Sequence, residues 1–163
     1  MTRELTAFEV LEIAKTMERE AVRFYRKAAG LSHDPRVGKL FAELSQWERR
    51  HLQIFAEMKD RLTEQAWEGG CLDLDRVVVA RLGVPPAVFN EQSEPAKELT
   101  GTETRAEVLR LAIQKEQYTI GYYTGLTEFA LGPDNVNVIK SILQEERKHV
   151  RILAQSLGQN ADY

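Results

Sequence analysis

The feature that most constrains this chain is an internal repeat. The motif "WERRHL" holds Glu48 and His51, and "EERKHV" holds Glu146 and His149, each 98 positions later. The same offset superimposes about residues 6–60 on about 104–158 without a gap. The identical pairs include Thr6 and Thr104, Glu9 and Glu107, Leu11 and Leu109, Glu18 and Glu116, Tyr25 and Tyr123, and Pro35 and Pro133. A register of this length indicates one structural unit used twice.

Each copy has the pattern of a helical hairpin. Over residues 7–29, apolar side chains recur with the 3.6-residue period of an amphipathic helix. They are Val10, Leu11, Ala14, Met17, Ala21, Val22, Phe24, Tyr25 and Ala28. A second helix is predicted from about 36 to 65, and its inward residues are Leu40, Phe41, Leu44, Trp47, Ile54, Phe55 and Met58. The second copy is expected to turn near "LGPDN", residues 131–135.

The helix ends carry recognisable start signals. Thr6 and Thr104 are each followed three positions later by glutamate, which is the sequence of a capping box. In "GLSHDP" the first helix is expected to stop, Asp34 is a candidate N-cap, and Pro35 suits the first helical turn.

The segment 67–103 has no partner in the repeat. Its glycines and prolines exclude one continuous helix, and "LDLDRVVVARL" at 72–82 is compatible with a short helix or an extended strip. Its length suits the long crossover of ferritin-like four-helix bundles. We therefore expect one all-α ferritin-like domain over 1–163, with hairpins at about 6–66 and 104–158 joined by this crossover.

Composition narrows the class of protein. The 163 residues are 43% hydrophobic and 29% charged, which is typical of a globular domain. A net charge of −3 gives no strong attraction to nucleic acid or to an anionic membrane. Cys71 is the one cysteine, so an internal disulfide and a cysteine-rich metal module are excluded. Without an apolar run long enough for a membrane span or a signal peptide, a cytoplasmic protein is expected.

The repeat places four carboxylates and two imidazoles at one level of the bundle. Glu18 lies 12 residues before Gly30 and Glu48 lies 13 residues after Pro35. At 1.5 Å per residue, both stand roughly 18–20 Å from the turn. The second hairpin repeats this level with Glu116 and Glu146, and each histidine shares a helix face with the glutamate three positions before it.

These six side chains predict a dinuclear metal site. Four buried carboxylates cannot all stay ionised without compensation, and two divalent cations would balance them. Oxygen and imidazole ligands suit iron or manganese, so two iron ions, two manganese ions or a mixed pair are all compatible. The predicted metal ligands are Glu18, Glu48, His51, Glu116, Glu146 and His149.

Several neighbouring residues have two interpretations. Glu20 competes with Glu18, but its repeat partner is a tyrosine, so Glu18 is preferred. Glu145 is repeat-equivalent to Trp47, which favours a peripheral place. Tyr25 and Tyr123 are either core aromatics or tyrosines whose hydroxyls reach a ligand carboxylate across the bundle. His33 is expected to be solvated, as are Arg49, Arg50, Arg147 and Lys148.

The sequence resembles the rubrerythrin group of the ferritin-like superfamily. The resemblance is carried by "AKTMEREAVRFY", "WERRHL", "AIQKEQYTIGYY" and "EERKHV". It implies a carboxylate-bridged di-iron centre with Glu48 and Glu146 bridging, Glu18 and Glu116 terminal, and one histidine on each iron. Proteins of this group typically reduce hydrogen peroxide, and relatives oxidise ferrous iron with oxygen.

The sequence departs from the rubrerythrin pattern in two ways that bear on the expected peroxide reduction. The chain has no rubredoxin-like module with paired Cys-x-x-Cys motifs, so a separate electron-donor protein or reductase is expected. Thr119 stands where rubrerythrins often carry an extra glutamate, which leaves a more symmetric ligand set.

The favoured function is reduction of peroxide or oxygen by a di-iron oxidoreductase. The alternatives are a ferroxidase or iron-storage protein and a metal-free structural bundle. A homodimer that exchanges hairpins through 67–103 is a further possibility.

Overall fold

Four helices make up the described part of the chain. The structure is a computed structural model that describes residues 7–68, 99–128 and 132–159. The helices are α1 (Ala7–Leu31), α2 (Pro35–Glu68), α3 (Arg105–Leu126) and α4 (Pro133–Gly158), and these described residues contain no strand. None of the described helices has a stretch apolar enough and long enough to cross a membrane. The all-α four-helix architecture predicted from the sequence is confirmed.

The second helix of each hairpin begins at a repeat-equivalent proline. Pro35 opens α2 and Pro133 opens α4. Before Pro35, the Oδ1 atom of Asp34 accepts a hydrogen bond from the backbone N–H of Arg36 at 2.9 Å. Gly132 takes the equivalent place in the second hairpin with φ of 77°, a left-handed conformation that glycine adopts without strain. The two turns thus use different residues to start the same helix.

The predicted helix ends are close to the observed ones, with one difference. α1 ends at Leu31, inside the "GLSHDP" stretch where it was expected to stop. α2 extends to Glu68, beyond the expected end near residue 65. The capping box of α3 is present. The Thr104 side chain accepts a hydrogen bond from the backbone N–H of Glu107, and the Glu107 side chain accepts one from the backbone N–H of Thr104. Thr6, which would begin the same box in α1, lies outside the described residues.

The core consists of two apolar clusters, one toward each end of the bundle. Cluster A joins the start of α1 to the end of α3, and its buried members are Ala7, Val10, Leu11, Ala14, Phe55, Met58, Tyr122, Tyr123, Leu126, Ile139, Ile142 and Leu143. Cluster B joins the end of α1 to the start of α3, and its buried members are Phe24, Tyr25, Ala28, Val37, Phe41, Leu44, Leu99, Leu109, Ala112 and Leu153. The helices α1 and α3 are therefore antiparallel.

This arrangement determines which ends of the bundle the connection between the hairpins must join. Met58 of α2 packs in cluster A, whereas Leu99, just before α3, packs in cluster B. The chain therefore leaves α2 at one end of the bundle and re-enters at the other end. Residues 69–98, with the 72–82 strip, lie outside the described residues. The hairpin and crossover boundaries proposed from the sequence remain predictions.

Candidate metal centre

All six predicted ligands meet between the two apolar clusters. Each helix supplies one glutamate, and α2 and α4 add one histidine each. Glu18, Glu48, His51, Glu116, Glu146 and His149 are each between 0% and 3% exposed. Glu20, the competing carboxylate on α1, is exposed to solvent. The structure thus brings together the residues that the repeat singled out.

The six side chains form two overlapping groups with the spacing of metal ligands. One group is Glu18, Glu48, His51 and Glu146, and the other is Glu48, Glu116, Glu146 and His149. In each group, one ligand atom from every residue lies within 4.8 Å of the others. Glu48 and Glu146 are common to both groups, which is the position that bridging carboxylates occupy between two cations.

The histidines are oriented alike by the two carboxylates that both groups share. His51 Nδ1 lies 3.2 Å from Glu48 Oε2 and 2.9 Å from Glu146 Oε1. His149 Nδ1 lies 3.0 Å from Glu48 Oε1 and 3.0 Å from Glu146 Oε2. Both Nδ1 atoms therefore point into the cluster, and each shared carboxylate directs one oxygen toward either histidine. This is the approximate twofold symmetry expected from the repeat.

Tyr25 and Tyr123 connect the two hairpins at this level. The Tyr25 hydroxyl donates a short hydrogen bond to Glu116 Oε1, and the Tyr123 hydroxyl donates one to Glu18 Oε1. Each tyrosine thus holds the carboxylate of the opposite hairpin. The sequence left open whether these tyrosines were core aromatics or partners of the carboxylates. In the structure they are both: their rings are buried in the core and their hydroxyls bind carboxylates.

The four carboxyl groups divide into two kinds. Burial, reinforced by the negative charge of Glu48, raises the pKa of both Glu18 and Glu116 well above its usual value. Burial would also raise the pKa of Glu48 and Glu146, but the two histidines beside them reverse the effect. The pKa of Glu48 is lowered, and the pKa of Glu146 falls to about 2. Protonation is therefore favoured at Glu18 and Glu116, and ionisation is favoured at the two shared carboxylates.

The histidines complete this charge balance. Burial would lower the pKa of His51, yet Glu146 and Glu48 raise it to about 12. The carboxylates of Glu116, Glu146 and Glu48 likewise raise the pKa of His149 to about 11, against the effect of burial. Without metal, the two imidazolium ions thus offset the charge of the two shared carboxylates.

Several polar atoms of the cluster lack hydrogen-bond partners in the described part of the chain and are suited to bind a pair of cations. Although some of these atoms lie at ion-pair distance from each other, several have no partner with hydrogen-bond geometry among the described residues. They include Glu18 Oε2, Glu48 Oε1, both carboxylate oxygens of Glu146, and both ring nitrogens of His149. Such buried polar atoms are costly unless something binds them. Oxygen and imidazole nitrogen are the donors that iron and manganese accept. The residues present therefore fit a dinuclear metal site.

Two residues beside the centre were not assigned a role from the sequence. Glu145 is peripheral, as expected, with a side chain 52% exposed, but its Oε2 atom still lies 3.2 Å from His51 Nε2. Trp47 stacks on the His149 ring with centroids 4.8 Å apart. The repeat showed that positions 47 and 145 are equivalent, and the structure adds that each lies beside the other hairpin's histidine.

Comparisons with known proteins agree with this fold. A rubrerythrin family model matches residues 1–59, which hold Glu18, Glu48 and His51. A Thermotoga maritima protein, provisionally assigned as a ferritin-like diiron-carboxylate protein, has a crystal structure that superimposes with a TM-score of 0.72 at 23% identity. That match covers 99% of this chain and 100% of the other. The curated proteins contained no match.

The fold and the comparisons define the class. The chain has a ferritin-like four-helix fold with a candidate carboxylate and histidine metal site between its two hairpins. Within that class, the resemblance to rubrerythrins noted in the sequence is confirmed by the family-model match over the first hairpin.

Proposed function

We propose that this chain holds two iron ions in the cluster and uses them to reduce peroxide or oxygen. The observation that carries this proposal is the pair of overlapping ligand groups that share Glu48 and Glu146. A structural bundle has no need of four buried carboxylates at one level, because burying them costs several kcal/mol. The metal-free alternative therefore leaves the main feature of the core without a purpose.

The ligand roles follow from the two groups. Glu18 and His51 serve one metal position, Glu116 and His149 serve the other, and Glu48 and Glu146 bridge the two. Manganese or a mixed pair would fit the same donors, because ligand type alone does not select the ion. Iron is favoured because the structurally similar Thermotoga maritima protein is provisionally described as a diiron-carboxylate protein, and because the resemblance of the first hairpin to rubrerythrins implies a di-iron centre.

An iron pair supplies two electrons and Lewis acidity, which is what the conversion of peroxide and two protons to two water molecules requires. The protein's own residues provide the setting for this chemistry. Tyr25 and Tyr123 hold the terminal carboxylates in place through their hydroxyls. Clusters A and B keep bulk water from both ends of the site. Since the chain lacks paired cysteines for a second redox centre, a separate donor must return the electrons.

Rapid mixing tests the proposal. Protein loaded anaerobically with two equivalents of Fe(II) is mixed with peroxide or with oxygen, and the iron absorbance is followed. We expect reoxidation by peroxide to be faster than by oxygen and much faster than for free Fe(II). Glu18→Gln should lose the rate gain, whereas Glu20→Gln, the same change two residues away on the exposed face, should keep it. Reoxidation no faster than that of free Fe(II) would refute the proposal.

The same experiment separates reduction of an oxidant from iron handling. A ferroxidase or storage protein would continue to consume Fe(II) through many turnovers as further ions are added with oxygen. An oxidoreductase of the proposed kind stops after two ions per chain unless a reductant is present. Uptake far beyond two ions would therefore replace our proposal with the iron-handling function.

A further inference from the structure

The repeat is broken at one pair of positions that touch the metal centre. Position 47 on α2 and position 145 on α4 are equivalent in the 98-residue register, but one is tryptophan and the other is glutamate. Each side chain contacts the histidine of the opposite hairpin. The two halves of an otherwise symmetric site therefore have different surroundings at the outer face of each imidazole.

On one side, Glu145 is placed to act on His51. Its Oε2 atom lies 3.2 Å from His51 Nε2, the ring nitrogen that faces away from the cluster. A carboxylate in this place fixes the Nε2–H tautomer, directs the Nδ1 lone pair toward the metal and makes the imidazole a stronger ligand. Because the Glu145 side chain is 52% exposed, water competes for this hydrogen bond and moderates its effect.

On the other side, His149 has an apolar surface instead of a carboxylate. The Trp47 ring is nearly parallel to the His149 ring, with an interplanar angle of 8°. His149 Nε2 is buried and has no hydrogen-bond partner in the part of the chain that the structure describes. The ammonium group of Lys148 also lies over the Trp47 ring, 5.1 Å from its centroid. A positive charge and the lack of an outer carboxylate both disfavour a cation on this side.

We propose that the Glu145 and Trp47 pair makes the two metal positions unequal, so that the first divalent cation binds beside His51 and the second beside His149. This inference rests on the proposed function for the existence of two positions. Outer partners of metal-binding histidines typically change metal affinity by 10-fold to 100-fold. Since Glu145 is half exposed, we expect a difference near the lower limit, about tenfold.

Nuclear magnetic resonance of the histidine rings provides a site-resolved test. The chain has only three histidines, and His33 in the exposed turn serves as an internal reference. Protein with ¹⁵N-labelled histidine is titrated with Zn(II), a diamagnetic probe, and the rings are assigned from His51→Gln and His149→Gln. We expect the His51 Nδ1 signal to reach its metal-bound position before that of His149.

Variants at the two positions test the cause. Glu145→Leu should weaken binding beside His51 about tenfold and remove the order of filling. Gln144→Leu, which places the same leucine at the exposed neighbouring position, should leave the order unchanged. Trp47→Glu supplies the missing carboxylate. It should raise the metal affinity of the position beside His149 to that of the position beside His51, so that both fill together.

The outcomes distinguish this inference from the proposed function. Simultaneous filling in the wild type, or filling of the His149 side first, would overturn the inference while two metal ions still bind. An order that persists in Glu145→Leu would overturn it as well. If neither ring nitrogen responds to two equivalents of Zn(II), the metal centre itself is refuted.

Discussion

At the scale of single residues, the cluster depends on partners that cross from one hairpin to the other. Glu18 is held by Tyr123 and Glu116 by Tyr25, so each of these carboxylates has its donor in the opposite copy of the repeat. Hydroxyl donors of this kind orient a carboxylate before a cation arrives. Loss of one hydroxyl should therefore affect both folding and metal binding.

Tyr123→Phe tests this role. The substitution keeps the ring in cluster A but removes the donor to Glu18, leaving a buried carboxyl oxygen unpaired. We expect a loss of about 1–3 kcal/mol in the free energy of unfolding without metal, and metal affinity lower by about tenfold or more. Chemical denaturation and anaerobic Fe(II) titration measure the two effects.

Tyr122→Phe is the matched control. The Tyr122 hydroxyl donates to the backbone carbonyl of Val10 at 2.8 Å, and burial rather than a carboxylate of the cluster raises its pKa. This variant should lose about 1 kcal/mol of stability and keep its affinity for metal. Equal affinities in Tyr122→Phe and Tyr123→Phe would contradict a metal-positioning role for Tyr123.

At the scale of helices, the repeat supplied most of the architecture. One offset predicted four helices, the equivalent prolines that open α2 and α4, and the six residues that meet in the core. Periodicity was sufficient because each helix has one apolar face, and a shared register fixes the relative heights of the glutamates. Local turn chemistry was less predictable, since Gly132 replaces the aspartate that precedes α2.

Contacts between helices were harder to derive than the helices themselves. The register showed that Trp47 and Glu145 are equivalent, but not that each reaches the other hairpin's histidine. That contact depends on the crossing geometry of α2 and α4 and on side-chain rotamers, neither of which a sequence period encodes. The glycines and prolines of 67–103 likewise excluded one long helix without selecting any other structure.

The capping box of α3 permits a test at this scale. Thr104→Ala removes the acceptor for the N–H of Glu107 and should cost about 1 kcal/mol in the free energy of unfolding. Thr124→Ala, an exposed change inside the same helix, removes only a hydroxyl bonded to the Ile120 carbonyl and should be nearly neutral or slightly stabilising. Urea denaturation with an unchanged m-value measures both. If the two variants are equally stable, the cap contributes nothing.

At the scale of the whole molecule, the proposed metal ions would compete with protons for one cluster. Without metal, His51 and His149 carry protons because their pKa values are raised to about 12 and about 11. Burial favours the protonated form of Glu18 and Glu116 by raising their pKa values well above 4.5. Two divalent cations would therefore displace roughly four protons, two from the histidines and two from the carboxyl groups.

This competition predicts opposite pH dependences for the two forms. In the metal-free protein, groups with raised pKa values give their full stabilisation below the unfolded pKa and lose it as the pH rises. The loss should begin above pH 4.5 for the two carboxyl groups and above pH 6.5 for the histidines, and it should continue toward pH 11–12, so stability should decrease throughout a measured range of about pH 6 to 9. Glu146, with a pKa of about 2, opposes this only in acid, because its contribution is complete above 4.5.

Metal binding should reverse the sign of the pH dependence of stability. Higher pH removes the competing protons, so affinity rises and the metal stabilises the folded state more strongly. Thermal melts of chelator-treated protein and of protein with excess Mn(II), across the same pH range, measure both dependences. Two parallel curves would mean that metal does not displace the protons assigned to the cluster.

The central claim is that the six converging side chains bind two metal ions. An anaerobic equilibrium titration with Fe(II), read by metal analysis of the separated protein, tests it most directly. We predict two ions per chain in the wild type and a loss of both in Glu146→Ala, because that carboxylate belongs to both ligand groups. Wild-type protein that retains no iron, or a Glu146→Ala variant that still retains two ions, would contradict the account.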